Sequence, residues 1–392
     1  MLIEKFKIEE WMNKYESLAK YDMTTTCINS FSLGEFFDFT GANISKILDR
    51  PLHYGDITGS ERLKSDVAKL YKGKSAKNVS VTLGAIGANS LTFLSLVEPD
   101  DEVISIIPTY QQHYSIPKQL GAKVKIIKLK PELNWHVDLE ELKSAVTPKT
   151  KLITFNNPNN PTGAALSDEE LKEIVKIAES VGAYVLCDEV YRFLNHEKST
   201  SSTSIAEIYE KGISTFSMSK TFSLAGIRVG FVVANEDIIE EINHQRQYNT
   251  ISISAIDDFV ACVALENKDK IIERNLKIVK DGKKALLEWI STEDKISVSK
   301  LEAGTTAFVK YEDSRNSYDF CLDLFKDTGV LLLPGDAMEI PNHCRIGYCG
   351  EINNFKEGLF EFSKWLKKIK PAETDFILKS DFILQRQQQR TI

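Results

Sequence analysis

The sequence predicts an α/β protein: a large domain built on a mainly parallel sheet with helices on both faces, followed by a small α+β domain. Three observations predict it. Between residues 79 and 235, short apolar runs alternate with longer stretches of helical periodicity. Runs such as EVISII and AYVLC are apolar at successive positions, as strands covered on both faces must be. Beyond residue 236 the pattern changes to long helical stretches with a few isolated strand-like runs.

Taken in order, EKFKIEEWMNKYESLAK (4–20) sets Phe6, Trp11, Tyr15 and Leu18 near helical spacing and predicts an amphipathic packing helix. Residues 24–41 are polar and then apolar, with few helix formers in the first half. HYGDITGSERLKSDVAKLY (53–71) reads as a glycine-punctuated loop and then a helix, with Ser60 as N-cap and Leu63, Val67, Leu70 and Tyr71 as the buried stripe. A strand over 79–83 meets small residues and a helix from about Ala85 to Leu96, an arrangement whose free backbone N–H groups can seat an anion.

Strands are expected over 102–107, 124–129 and 151–155, with a helix beginning near Asp138. NNPNNPTG (156–163) is a rigid turn, because proline fixes its own φ and holds the preceding residue extended. Ser167 with Glu170 forms a capping box, and that helix stops at Gly182. AYVLCDEVYRFL (183–194) is a buried strand carrying Asp188 and Tyr191 at its end, where open α/β sheets collect ligand groups. EDIIEEINHQRQ and the region 254–292 are helical, the latter linking to a second lobe made of VSKLEAGTTAFVKY, GVLLLPG and HCRIGYCG. The expected boundaries are 1–45 for a helix and arm, 46–270 for the large domain, 271–370 for the small domain and 371–392 for a tail holding the repeat DFILKS, DFILQR.

Composition narrows the function classes. The 392 residues suffice for two lobes, and 42% hydrophobic with 27% charged residues is ordinary for a globular protein. A net charge of −7 without a dense basic cluster makes nucleic acid and an anionic membrane unexpected partners. MLIEKFKIEEW lacks the apolar core of a signal peptide and no apolar run is long enough to span a bilayer, so a cytoplasmic location is expected. The six cysteines are scattered without metal-ligand spacing and read as reduced thiols; no metal is expected.

SMSKTFSLAGIRVG (217–230) is where chemistry concentrates. Lys220 lies among Ser217, Ser219, Thr221 and Ser223; a lysine in a partly desolvated pocket can form an imine with an aldehyde cofactor. Arg228 can offer a guanidinium fork to a phosphate, with Ser217 adding a hydroxyl.

Ser-x-Ser-Lys followed by Gly-x-Arg-x-Gly, with NNPNNPTG and the Asp-x-x-Tyr after a strand upstream, resembles the class I/II aminotransferases, the fold type I enzymes that use pyridoxal 5′-phosphate (PLP). The resemblance covers roughly 40 to 370. It implies Lys220 as the imine lysine and proton carrier, Asp188 on the pyridine nitrogen with His113 behind it, and Tyr191 and Asn160 on the phenolic oxygen. It further implies Tyr110 stacked on the ring, and Arg228, Ser217 and the backbone of Ala85 and Ile86 on the phosphate. Where relatives often carry Ser or Thr this chain has Ile86, so only backbone donation is expected there. Arg345 would clamp the substrate carboxylate, Asn160 would also reach the substrate, and Tyr54 would reach a phosphate across a homodimer.

The resemblance leaves three fates for the substrate open: amino transfer from an L-amino acid to a 2-oxo acid, an oxidase or cyclase reaction on arginine, or C–S β-elimination. FKIEEW, GAIGAN and YNTISISAIDDF are similar to capreomycidine synthase and PLP-dependent arginine oxidases, which implies an acidic contact to a guanidinium from Glu10, Asp22 or Glu35.

Overall fold

The computed structural model describes residues 3–197 and 202–368; the expected tail with its repeat lies outside the described residues. Seven strands form the main sheet in the order Val79–Leu83, Val229–Val233, Gly212–Ser217, Tyr184–Asp188, Thr150–Asn156, Glu102–Ile107, Lys123–Lys128. The last five are mutually parallel, and Val229–Val233 runs antiparallel to both its neighbours. The short connection that carries Lys220 explains the reversal. A parallel crossover needs a dozen or more residues, whereas this segment folds straight back and sets Ser217 opposite Gly230.

Helix boundaries follow local chemistry. Ser167 and Glu170 make the reciprocal capping box for Asp168–Val181, which ends at Gly182 in the left-handed conformation (φ 73°). Ser60 accepts from the Leu63 N–H and starts Glu61–Ala68, which buries Leu63 and Val67; Tyr71 is buried just beyond it and Leu70 is half-buried. The first helix, Lys7–Tyr15, buries Ile8 and Trp11. Leu18 departs from the expected stripe and is exposed, because Glu16–Leu18 is a 3₁₀ turn and the tighter winding rotates it off the buried face. The strand expected over 183–194 stops at Asp188, and Tyr191 sits in the turn that follows.

The second lobe is a four-stranded antiparallel sheet, ordered Leu333–Pro334, His343–Gly347, Thr306–Tyr311, Ile296–Val298, backed by Ser317–Thr328 and Ile352–Lys368. The long helix Lys268–Ile290 packs against it so closely that a Cβ on Gly282 would fall 1.7 Å from the Tyr348 carbonyl oxygen. The arm is tied to the same lobe. Tyr21–Asp22 pairs in parallel with Val330–Leu331, and the Trp11 indole donates to the Leu332 carbonyl at 3.0 Å.

An ionic clamp joins the two lobes. His136 Nδ1 lies 2.6 Å from Glu170 Oε1, its Nε2 lies 2.9 Å from Glu302 Oε2, and Lys300 Nζ pairs with the other Glu302 oxygen at 3.2 Å. The hydrogen bonds to Glu170 and then Glu302 lift His136 from 6.5 to about 9. Burial pushes Glu302 upward, but His136 and the Ala165 N–H outweigh it and hold the carboxyl at about 2. Because the folded value of His136 exceeds its unfolded one, its contribution to stability is complete below the unfolded value and disappears as pH rises through the folded one. We therefore expect the melting temperature of the wild type to fall more steeply than that of His136→Gln between about pH 6.5 and pH 9. Parallel melting profiles by scanning calorimetry would contradict this.

Candidate active site

The parallel strands end on one edge of the sheet, and a cavity of about 360 Å³ opens there between the lobes. It is lined by Thr24 to Cys27, Ala85, Ile86, Asn89, Tyr110, Asn160, Asp188, Tyr191, Ser217, Lys220, Arg228 and Arg345, with Ile8, Glu9, Met12 and Glu16 at the side of the first helix. Residues from eight separate stretches of chain thus face one space.

One end of the cavity suits an anion. The helix Gly84–Leu96 begins without a side-chain cap, so its first-turn N–H groups have no intrahelical acceptor. Two glycines set its position. A Cβ on Gly230 would stand 2.3 Å from the Gly84 carbonyl carbon, and one on Gly84 would stand 2.8 Å from Arg228 Nη2. Arg228 itself holds a left-handed backbone (φ 52°), and its Nη1 donates to the Ala225 carbonyl at 2.9 Å. Cation, free N–H groups and the Ser217 and Ser219 hydroxyls fit a phosphate group.

Lys220 Nζ donates to Thr26 Oγ1 at 2.6 Å and to Cys27 Sγ at 3.2 Å. Burial penalises its ammonium form, but Tyr191 and Cys27 outweigh that and leave the free amine above the ordinary lysine value. Its turn is fixed by Thr221, whose hydroxyl reaches the Val190 and Arg192 carbonyls at 3.1 and 2.8 Å. Burial raises the Tyr191 phenol despite Lys220 and Arg345 nearby, so it stays a hydrogen-bond donor at neutral pH.

Asp188 is buried, and Oδ2 accepts from Asn89 Nδ2 at 3.1 Å while Oδ1 accepts from the Val190 N–H at 3.2 Å. Asn89 is oriented in turn by the Thr215 hydroxyl, which donates to its Oδ1 at 2.6 Å. Sequence reasoning missed Asn89; the available signal was the single amide side chain on the helix Gly84–Leu96. His113 is fully buried with Nδ1 2.5 Å from Thr154 Oγ1, and its Nε2 lies 3.7 Å from Asp188 Oδ2, too far for a hydrogen bond.

Arg345 is buried, donates Nη2 to the Thr24 carbonyl at 2.8 Å and Nη1 to Asn160 Oδ1 at 3.2 Å, and leaves Nε without a partner. Burial lowers its pKa, against Tyr191 and Asp22. With the Asn160 carbonyl oxygen engaged, its amide NH₂ is the end left for another acceptor. Both Asn-Pro bonds of this turn, Asn157–Pro158 and Asn160–Pro161, are cis. Tyr110 forms a wall of the cavity, its hydroxyl donating to Glu9 Oε1 at 2.7 Å and its ring packing on Phe6.

The acidic candidates require correction. Glu10 is exposed beside Lys5, because it projects from the outer face of its helix; Glu9, one position earlier, lines the cavity. Glu35 is spent on its own helix, completing a capping box with Ser32, and the Ser32 N–H lowers its pKa. Asp22 stands behind the wall and accepts from the Thr24 N–H at 2.8 Å and from the Thr24 hydroxyl. Glu16, at the exposed rim, is raised by burial and by the charges of Asp22 and Glu9. Tyr54 is 78% exposed and lies outside this cavity. Among the described residues no cluster of three or more side chains suits a metal ion, and no helix is long and apolar enough to cross a membrane.

Comparison with known proteins agrees with this geometry. A crystal structure of a PLP-dependent aminotransferase from Streptococcus suis superposes with a TM-score of 0.92 at 40% identity, covering 95% of this chain and 100% of that one. Capreomycidine synthase of Streptomyces vinaceus is 28% identical over 92% of this chain and 93% of its own. The aspartate aminotransferase of Pyrococcus horikoshii is 28% identical over 94% and 96%. A profile described as aminotransferase class I and II matches residues 45–359, and with the lysine, aspartate and arginine converging on one cavity, the chain belongs to that family of PLP-dependent enzymes.

Proposed function

We propose that this chain binds PLP through Lys220 and transfers the amino group of an L-amino acid to a 2-oxo acid. The observation that carries the reading is the shared cavity: an anion cradle at Arg228, an amine at Lys220, a buried carboxylate at Asp188 and a buried guanidinium at Arg345 with a free Nε. Ser217, Arg228 and the Ala85 and Ile86 N–H groups would hold the phosphate, Asp188 the ring nitrogen, Tyr191 and the Asn160 amide the phenolic oxygen, and Tyr110 the ring face. When bound, PLP supplies an electron-accepting ring for the pair left on Cα. Lys220 would carry a proton to and from Cα, and Asp188 would favour the protonated form of the ring nitrogen. Arg345 clamps the α-carboxylate and so fixes which bond of Cα faces the lysine. Asn89 keeps Asp188 in place, the part expected of His113.

A cationic substrate such as arginine is a second reading, favoured by Glu9 and Glu16 in the cavity lining; an oxidase or cyclase outcome would accompany it. Members of this family are typically homodimers. Exposed Leu48, Leu52, Tyr54 and Ile57, in a segment that meets the chain at Ile253 and Ala255, support a second copy of the chain on that face, with Tyr54 reaching its site.

Lys220→Ala is expected to remove the visible absorbance of the PLP-loaded protein, and a variant that keeps both colour and turnover would refute the lysine assignment. Incubation with L-arginine in air separates the readings. Oxygen uptake without a 2-oxo acid supports the second one, and amino transfer only after a 2-oxo acid is added supports the first. If the substrate is cationic, Glu9→Gln and Glu16→Gln should each raise its KM about tenfold, the scale of one lost charge-assisted contact, and unchanged KM values would discard that reading.

A further inference from the structure

Segment 301–306 belongs to the small lobe, yet its contacts run to the residues that face the cavity. The Glu302 and Ala303 N–H groups both donate to the Gly163 carbonyl, at 2.8 and 3.0 Å, and the Thr306 hydroxyl donates to the Pro161 carbonyl at 3.1 Å. Both acceptors lie in the turn that carries Asn160. Gly304 lies beside the Tyr191 ring, where a Cβ would stand 3.9 Å from two ring carbons, and the Thr305 hydroxyl donates to the Thr26 carbonyl at 3.0 Å. The segment therefore supports Asn160, Tyr191 and Thr26 together.

The backbone of the segment is held by these bonds and by His196, whose ring reaches the Leu301 and Gly304 carbonyls at 3.2 and 2.9 Å, while the Glu302 side chain is tied to the large lobe by His136. The His136 ring joins Glu302 to Glu170, and Glu170 is already engaged through its other oxygen with the Ser167 N–H and hydroxyl at 2.8 and 2.9 Å. Glu302 also accepts from the Ala165 N–H at 3.1 Å. The imidazole thus sits between the first turn of Asp168–Val181 and the 301–306 segment, two parts of the structure that converge on the Asn160 turn from opposite ends. Trp135, its chain neighbour, packs on Phe308 and His343 and fixes the approach of the ring.

We propose that His136 is a positioning residue for the active site: through its paired bonds to Glu170 and Glu302 it sets the placement of Asn160 and Tyr191 around the phenolic oxygen of the cofactor. Loss of the clamp lets segment 301–306 relax, and both donors loosen together. The proposal rests on PLP occupying the cavity. Donors to the phenolic oxygen lower the pH at which the Lys220–cofactor linkage loses its proton, so a looser pair raises it.

The test uses the full chain loaded with PLP and reads the pH midpoint of its visible absorbance by titration. His136→Ala and Glu302→Gln should each move the midpoint upward by about one pH unit, a tenfold change in proton affinity, and weaken retention of PLP on dilution. Arg315→Ala, which breaks ion pairs to Asp313 and Asp323 away from the cavity, serves as a control for general destabilisation and should leave the midpoint in place. If His136→Ala does not fold, Glu302→Gln alone decides, since glutamine keeps the shape of the acceptor. An unmoved midpoint in the folded variants overturns the proposal, as does an equal shift in Arg315→Ala. A wild-type chain that never takes up PLP would instead overturn the functional reading beneath it.

Discussion

Two glycines in contact decide where the anion cradle is. Because neither Gly84 nor Gly230 has a side chain, the helix Gly84–Leu96 can start directly against the strand Val229–Val233, and the Arg228 guanidinium lies across the glycine at the helix start. A side chain at Gly230 would push helix and strand apart, and one at Gly84 would displace the Arg228 guanidinium, so in either case the uncapped N–H groups and the arginine would no longer share this space. The rest of the cavity is arranged with respect to that fixed point. Asp188 ends one parallel strand and the Asn160 turn and Lys220 follow the ends of two others, and the parallel direction brings those ends to one edge.

The second lobe and the N-terminal arm complete the enclosure from outside the sheet. Arg345 comes from the antiparallel strand His343–Gly347, yet it is held by Thr24 of the arm and by Asn160 of the large lobe, so three parts of the chain meet at one guanidinium. The first helix adds a wall that is chemically different from the floor. The sheet edge and second lobe contribute Lys220, Arg228 and Arg345 around one carboxylate, Asp188, whereas the helix contributes only acidic charges, Glu9 and Glu16, the first of them bonded to the Tyr110 hydroxyl.

Legibility in the sequence followed how local the cause was. Capping at Ser60 and Ser167, the stop at Gly182 and the turn at residues 156–163 are set by side chains within a few residues of the backbone they control, and they appear where the sequence puts them. The acidic wall did not appear there. Glu9 and Glu10 are adjacent in sequence but about 100° apart around a helix, and only the docking of Trp11 under Leu332 determines which of them turns inward. Glu35 illustrates the opposite error: a purely local bond, the capping box with Ser32, had already claimed it. Asn89 was hidden because its partners Asp188 and Thr215 are supplied by two distant strands.

The sequence by itself therefore determined the alternation of strands and helices, the family, and the residue types able to hold a phosphate, an aldehyde and a carboxylate, since these depend on periodicity and on short motifs. Tertiary structure alone decided that Asn89 rather than His113 hydrogen-bonds Asp188, that Glu9 and Glu16 rather than Glu10 and Glu35 face the cavity, and that His136 joins the lobes behind the Asn160 turn. The physical reason is that a hydrogen bond acts over about 3 Å, so residues far apart along the chain acquire partners only once packing has brought them together.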